Sequence, residues 1–142
     1  MKLSNRTIQI IKVTAAPVAV NAEAISQKMY TILFSDFPQI KVLFKGADSS
    51  LHKKLAVAIA TYAKNIENIE TLSYTIERIT SIHVLKNIQK EHYPMVGSSL
   101  LKAIKDVLGD IATDEVLDAW EEAYFFLADI LITREKELYA QA

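Results

Sequence analysis

The sequence predicts an all-helical fold in a single domain, and three observations carry this prediction. Its 142 residues fit one domain of ordinary size. A hydrophobic fraction of 51% beside a charged fraction of 23% is enough for a real core. Only three Gly and three Pro leave few positions for turns, and the apolar residues recur at helical spacing rather than alternating along strands.

Capping and breaking residues mark the first part of the chain. Ser4 is suited to cap a first helix, which we expect to end at the interruption before Pro17. Asn21 precedes a second amphipathic helix over about 22–35. A short turn over 38–44 follows, because proline opens it and no long periodic run continues from it.

The middle of the chain predicts two more helices. A loop over 45–48 leads to Ser49 or Ser50, either of which can cap a helix over about 51–66. The next helix covers about 72–85, with an apolar face that includes His83.

Two long helices complete the predicted fold. Pro94 suits the first turn of a helix that runs to Leu108 and stops at Gly109. Thr113 and the acidic residues after it open a last helix over about 114–139. Six or seven helices of such unequal length favour crossed packing over a symmetric four-helix bundle.

Composition excludes several classes of protein. The chain has no cysteine, which excludes disulfides, thiolate sites and thioether-linked pigments and fits a reducing cytoplasm. A net charge of −1 does not favour nucleic acid as a partner. Arg6, Gln9 and Lys12 interrupt the apolar N-terminus, so we expect a first helix there and neither a signal peptide nor a membrane insertion.

The three histidines differ in their surroundings. His52 lies beside two lysines, and His92 lies in a polar stretch, whereas His83 is surrounded by Ile and Val. A lone histidine on an apolar face is commonly a core residue, and it cannot hold zinc alone. Haem iron needs only one protein ligand, since the porphyrin supplies four. From the residues alone, His83 is either a core histidine or a haem ligand.

Short stretches along nearly the whole chain resemble one family, the bacterial single-domain haemoglobins together with the globin domain of flavohaemoglobins. No stretch is decisive alone, but their common order and spacing are specific. Besides His83 they are IQIIK (8–12), MYxxLF (29–34), PxIKxLF (38–44), YAxNIEN (62–68), EHYPxVG (91–97), LDAWxxAY (117–124) and RExxLY (134–139).

The resemblance implies a globin fold of six to eight crossed helices enclosing a b-type haem. His83 matches the proximal histidine that binds iron, and Tyr93 and Glu135 match the pair that hydrogen-bonds with it. Tyr30 matches the distal tyrosine, whose hydroxyl can donate to the ligand. Phe44 matches the phenylalanine on the porphyrin face. The other apolar residues expected to line the pocket are Leu55, Ile79, Ile88, Val96 and Phe126.

One position departs from the family pattern. Flavohaemoglobins usually carry a distal glutamine where this alignment places Leu51, which cannot form a hydrogen bond. Tyr30 would then act alone. A one-residue slip would instead turn His52 inward, where it could donate to the ligand or bind the iron.

The resemblance also implies a function. We expect a cytoplasmic haem protein that reversibly binds O2 and reacts it with nitric oxide to give nitrate. The chain contains no glycine-rich nucleotide loop, so we expect residues 1–142 to form one globin domain that is re-reduced by a separate reductase. The alternatives are an O2 carrier or store that supplies respiration, and a gas sensor.

Overall fold

The computed structural model describes residues 2–47 and 50–141, and within these ranges it is helical without any strand. The prediction of an all-α fold is therefore confirmed. The α-helices are α1 (Asn5–Val20), α2 (Ala22–Asp36), α3 (Leu51–Lys64), α4 (Ser73–Leu85), α5 (His92–Leu108) and α6 (Asp114–Gln141). Short 3-10 segments cover Pro38–Phe44, Ile69–Leu72 and Gly109–Ile111.

Helix α1 begins where the sequence predicts but does not end there. The Ser4 hydroxyl accepts a hydrogen bond from the Thr7 amide at 3.2 Å, as expected of an N-cap. The predicted end at Pro17 is wrong, because α1 runs through Pro17 to Val20. Pro17 removes one backbone bond to the carbonyl of Val13, a residue that is 75% exposed, so water can satisfy that carbonyl.

The junction of α1 and α2 is sharply bent. The two helices meet at Asn21 with an angle of 87° between them. In the part of the chain that the structure describes, no single helix is long and apolar enough to cross a membrane; only this bent pair reaches that length and composition.

The remaining boundaries differ from the predictions by a few residues. Helix α3 ends at Lys64, and a 3-10 turn precedes α4 where the sequence predicts the start of the helix itself. Gly109 ends α5 with φ +56°, a conformation that favours glycine. Ser49, one of the two suggested caps of α3, lies with Asp48 outside the described residues.

Helix packing leaves two apolar clusters. Helix α2 packs on α3 and α5, α1 packs on α6 and α3, and α4 packs on α6. The larger cluster joins α1, α2, α3, α5 and α6, and the smaller one is centred on Tyr93, Ala128 and Leu131. His83 is part of neither cluster, although Ile76 and Ile79 of its helix pack against the smaller one.

Candidate haem site

Three polar side chains from three helices meet at one point. The Nδ1 atom of His83, near the end of α4, lies 2.9 Å from Oε2 of Glu135 on α6 and 3.0 Å from the hydroxyl of Tyr93 in α5. The Tyr93 hydroxyl donates to the same Glu135 oxygen at 2.7 Å. We call His83, Tyr93 and Glu135 the proximal triad. Helix packing thus brings together residues that are 42 and 52 positions apart in the sequence.

Burial keeps the Tyr93 hydroxyl of this triad protonated. Glu135 is 3% exposed and Tyr93 is 7% exposed. Burial first, and the bond to Glu135 second, raise the pKa of Tyr93 well above its usual value, so its hydroxyl remains a donor. A carboxylate accepts hydrogen bonds, so the 2.9 Å contact is satisfied when Nδ1 of His83 carries the hydrogen and donates the bond to Glu135.

This tautomer leaves the lone pair of His83 on Nε2. No hydrogen bond joins Nε2 to another residue in the described ranges, and the His83 side chain is 31% exposed. A neutral imidazole whose Nδ1–H bonds a carboxylate is the ordinary form of a metal-binding histidine. This arrangement leaves Nε2 of His83 chemically suited to metal binding.

Other α6 side chains hold the triad in place, and sequence reasoning missed them. The Tyr124 hydroxyl donates to the main-chain carbonyl of Tyr93 at 2.7 Å, and the Tyr139 hydroxyl donates to that of Ile88 at 2.5 Å. Arg134 binds Glu77 of α4 through two hydrogen bonds of 2.7 and 2.9 Å. Tyr124 and Tyr139 share a helical face with Glu135, so their spacing was the signal that could have revealed them.

Two further candidate residues, Tyr30 of α2 and Phe44, lie in an aromatic group with Phe34. The Tyr30 ring lies 5.6 Å from Phe44 and 5.8 Å from Phe34, between ring centroids, and Phe34 and Phe44 lie 5.4 Å apart. Burial raises the pKa of Tyr30 to about 12, so its hydroxyl is a donor at neutral pH. That hydroxyl forms no hydrogen bond with another residue of the described chain. Its hydrogen-bonding capacity is therefore unfilled within the described residues.

The seven apolar residues predicted to line the pocket share one property: each is half-buried, and none belongs to the fully buried core. Large apolar side chains left half-buried, together with an available imidazole nitrogen, fit a flat apolar group with a metal at its centre. They are Phe44, Leu51, Leu55, Ile79, Ile88, Val96 and Phe126. The residues present therefore fit a haem, with His83 as the group that would hold its iron.

Leu51 and His52 stand side by side at the start of α3. The Nε2 atom of His52 lies 3.7 Å from Oε1 of Glu23, an exposed residue in the first turn of α2. Leu51 is half-buried and does not contact the larger core cluster. Neither residue hydrogen-bonds to Tyr30, so the distal hydroxyl is not supported from α3.

The fold and this site define a globin. The family model for globins matches residues 27–131, and the chain belongs to the globin family. Members bind haem; for example, the flavohaemoglobin of Malassezia yamatoensis, solved with bound FAD and haem, superposes with a TM-score of 0.84. That match has 26% identity and covers 99% of this chain and 38% of the other.

Closer similarities exist in sequence and in structure. An uncharacterised globin-like protein of Aquifex aeolicus is 48% identical over 98% of this chain and 99% of its own length. A flavohaemoprotein of Oceanobacillus iheyensis is 45% identical over 96% of this chain, which spans only 34% of that protein. A candidate nitric oxide dioxygenase of Rhodothermus marinus, engineered as a carbene transferase, has a TM-score of 0.95 and 39% identity, covering 98% and 97% of the chains.

Proposed function

We propose that this globin binds a b-type haem through Nε2 of His83, and that it uses O2 to convert nitric oxide to nitrate. The absence of cysteine favours a haem held without thioether bonds. The apolar residues of the site would hold the porphyrin by contact. When bound, haem supplies an iron that takes up O2 and makes it reactive towards nitric oxide.

The proximal triad is the observation that carries this proposal. Glu135 is buried, and its carboxylate accepts a hydrogen bond from Nδ1 of His83 at 2.9 Å. A carboxylate in this position makes the imidazole more basic and a stronger electron donor through Nε2. Electron donation from the proximal side favours chemical activation of O2 over simple storage.

On the distal side, Tyr30 supplies a hydrogen-bond donor for the bound ligand. Tyr30 keeps its proton and lacks a partner among the described residues, so its hydroxyl can donate to a ligand that becomes partly negative. Phe34 and Phe44 pack against the Tyr30 ring, and such a bond is stronger beside apolar side chains than in solution.

The reaction also requires an electron donor. One nitric oxide, one O2 and one electron yield one nitrate, so each turnover consumes an electron. This chain matches about a third of the length of the flavohaemoproteins that resemble it. We propose that a flavin reductase in the cytoplasm supplies the electron to this globin.

The experiment measures nitrate formed per haem. The O2-saturated ferrous protein should convert one equivalent of nitric oxide by itself and many equivalents with NADH and an NADH-dependent flavin reductase. Glu135→Gln should slow turnover while haem stays bound. Glu137→Gln is the matched control, because this substitution makes the same chemical change two residues away on the exposed side of α6.

Two outcomes would contradict the enzymatic role. The first is a yield that stays at one nitrate per haem although the reductase reduces the ferric protein. The second is equal turnover in Glu135→Gln and Glu137→Gln, which would remove the proximal triad from the chemistry.

One observation favours a second function, the carriage of O2. Leu51 cannot hydrogen-bond, so a single donor, Tyr30, would hold the ligand on the distal side. With fewer distal hydrogen bonds to bound O2, O2 should dissociate faster, and fast dissociation suits the delivery of O2. Rapid O2 dissociation with little nitrate formation would favour the carrier, and slow dissociation would argue against it.

A further inference from the structure

We propose that the outer face of α4 is the docking surface for the electron donor, and that this donor is an acidic flavoprotein. The inference rests on the proposed function, which requires an electron donor. We call five exposed side chains on one side of the helix the α4 docking face: Tyr74, Arg78, Ser81, Ile82 and Leu85. At 1.5 Å per residue the face is roughly 16 Å long.

The α4 docking face has an unusual share of exposed apolar side chains. Leu85 is 85% exposed, Tyr74 75% and Ile82 47%. An isolated apolar residue on a surface is ordinary, but no other element of the described chain has more than two large ones exposed. Several on one helix face form a patch of the kind that mediates contact with a partner.

Positive charge surrounds this apolar patch. Arg78 lies within the face, and Lys86 and Lys90 lie in the turn that follows α4. All three are exposed, and none forms an ion pair with another described residue. The carboxylate of α4 itself, Glu77, is already neutralised by two hydrogen bonds of 2.7 and 2.9 Å from Arg134.

The charges favour an acidic partner over a second copy of this chain. Beside the three cations, this segment has one unpaired carboxylate, Glu91. A twofold dimer through the face would place Arg78 and Lys86 against their own copies, where like charges repel. A second copy that offered its acidic α6 instead would make a head-to-tail contact, which continues into a ring or a filament.

The position of the face suits electron transfer. Ile82 directly precedes His83, and Leu85 follows it by two residues, so a partner in contact with them lies beside the imidazole that would hold the iron. In the reaction that this contact serves, the reduced flavin loses one electron and the ferric iron gains it and becomes ferrous. Transient electron-transfer contacts are small, below ~1,200 Å² in total, and one helix face can supply such an area.

The first test measures association of the haem-loaded protein with flavodoxin, an acidic flavoprotein, by surface plasmon resonance. Lys86→Gln with Lys90→Gln should slow association about fivefold at low ionic strength, because the cations steer the partner. Lys2→Gln with Lys64→Gln is the matched control, since it removes two exposed, unpaired charges outside the face. The difference should shrink between ~0.01 and ~0.15 M salt. Flavodoxin with amidated carboxylates should bind far more weakly.

The second test addresses the apolar part of the face. Leu85→Ser should weaken binding of flavodoxin about tenfold, mainly through faster dissociation, because the contact loses an apolar side chain. Val20→Ser is the control: Val20 is 84% exposed, almost as much as Leu85, and it lies at the end of α1.

Three outcomes would overturn this inference. They are the absence of flavodoxin binding at low ionic strength, equal binding of native and amidated flavodoxin, and equal association rates in the two lysine pairs. Sedimentation supplies a fourth: an oligomer that Leu85→Ser dissociates would make the face an interface between copies of this chain.

Failure of this inference can be distinguished from failure of the proposed function. The O2-saturated ferrous protein converts its first equivalent of nitric oxide without any partner. If that conversion occurs and the lysine pairs bind flavodoxin equally, only the docking face is wrong. If the conversion is absent although flavodoxin binds as expected, the proposed reaction is wrong and the docking face stands.

Discussion

The two sides of the candidate haem site are built on different principles. On the proximal side, His83, Tyr93 and Glu135 hydrogen-bond to one another, and Tyr124 and Tyr139 fasten the chain around them. On the distal side, Tyr30 packs against Phe34 and Phe44, and its hydroxyl has no partner in the described chain. The proximal bonds are therefore complete within the described residues, whereas on the proposed function the distal hydroxyl would bond to a ligand.

This difference has a physical reason. A group that must keep one protonation state benefits from fixed partners, since buried polar networks are rigid when fully satisfied. A group that must bind and release a ligand needs an unfilled hydrogen bond. We therefore expect proximal substitutions to change cofactor binding and electronics, and distal substitutions to change ligand rates.

The largest effect should come from removing the proximal nitrogen. His83→Ala should lose most of its haem. Its affinity for haem should fall by more than the ~10–100-fold that is lost when a residue hydrogen-bonded to a metal ligand is removed. The measurement is the Soret absorbance per protein after haem transfer to an acceptor protein. His92→Ala is the control and should retain haem; equal retention in both variants would exclude His83 as the ligand.

Tyr30→Phe should have the second-largest effect, and it should act on the distal side of the site. Loss of one hydrogen bond to a partly negative ligand should speed O2 dissociation about tenfold, since ~1.4 kcal/mol corresponds to tenfold. Stopped-flow displacement of O2 by CO measures this rate. The iron–histidine frequency should stay constant, and a shift there would show that the two sides are not independent.

Leu51→Gln should have a smaller and opposite effect. A second distal donor would slow O2 dissociation by roughly two- to fivefold, in line with ~0.5–1 kcal/mol for an added bond. Leu51→Met is the control, since it preserves apolar volume. If Leu51→Gln does not slow release, residue 51 does not face the ligand.

The smallest effect should belong to His52. Its imidazole lies 3.7 Å from Glu23, so His52→Ala should leave O2 dissociation unchanged. Faster dissociation would show that His52, and not Leu51, faces the ligand, as in the slipped alignment.

Local patterns predicted most of the helices and failed where packing overruled them. Ser4 and Gly109 bound their helices as expected, because caps act through neighbouring backbone groups. Pro17 did not end α1, because Val18, directly after it, is fully buried and packing keeps that turn helical. The roles of Tyr124 and Tyr139 were also missed, since both tyrosines reach carbonyls far away along the chain.

The sequence by itself determined the all-helical fold, the absence of thiolate chemistry and, through its resemblance to known globins, which residues to consider beside His83. Periodicity, composition and motif order are properties of the chain that survive without coordinates. Only the tertiary structure decided that His83, Tyr93 and Glu135 share one buried hydrogen-bonded cluster, that Nε2 of His83 remains available, and that the Tyr30 hydroxyl lacks a partner in the described chain. Distances, burial and tautomers depend on how helices cross, and helix crossing is set by contacts between residues remote in sequence.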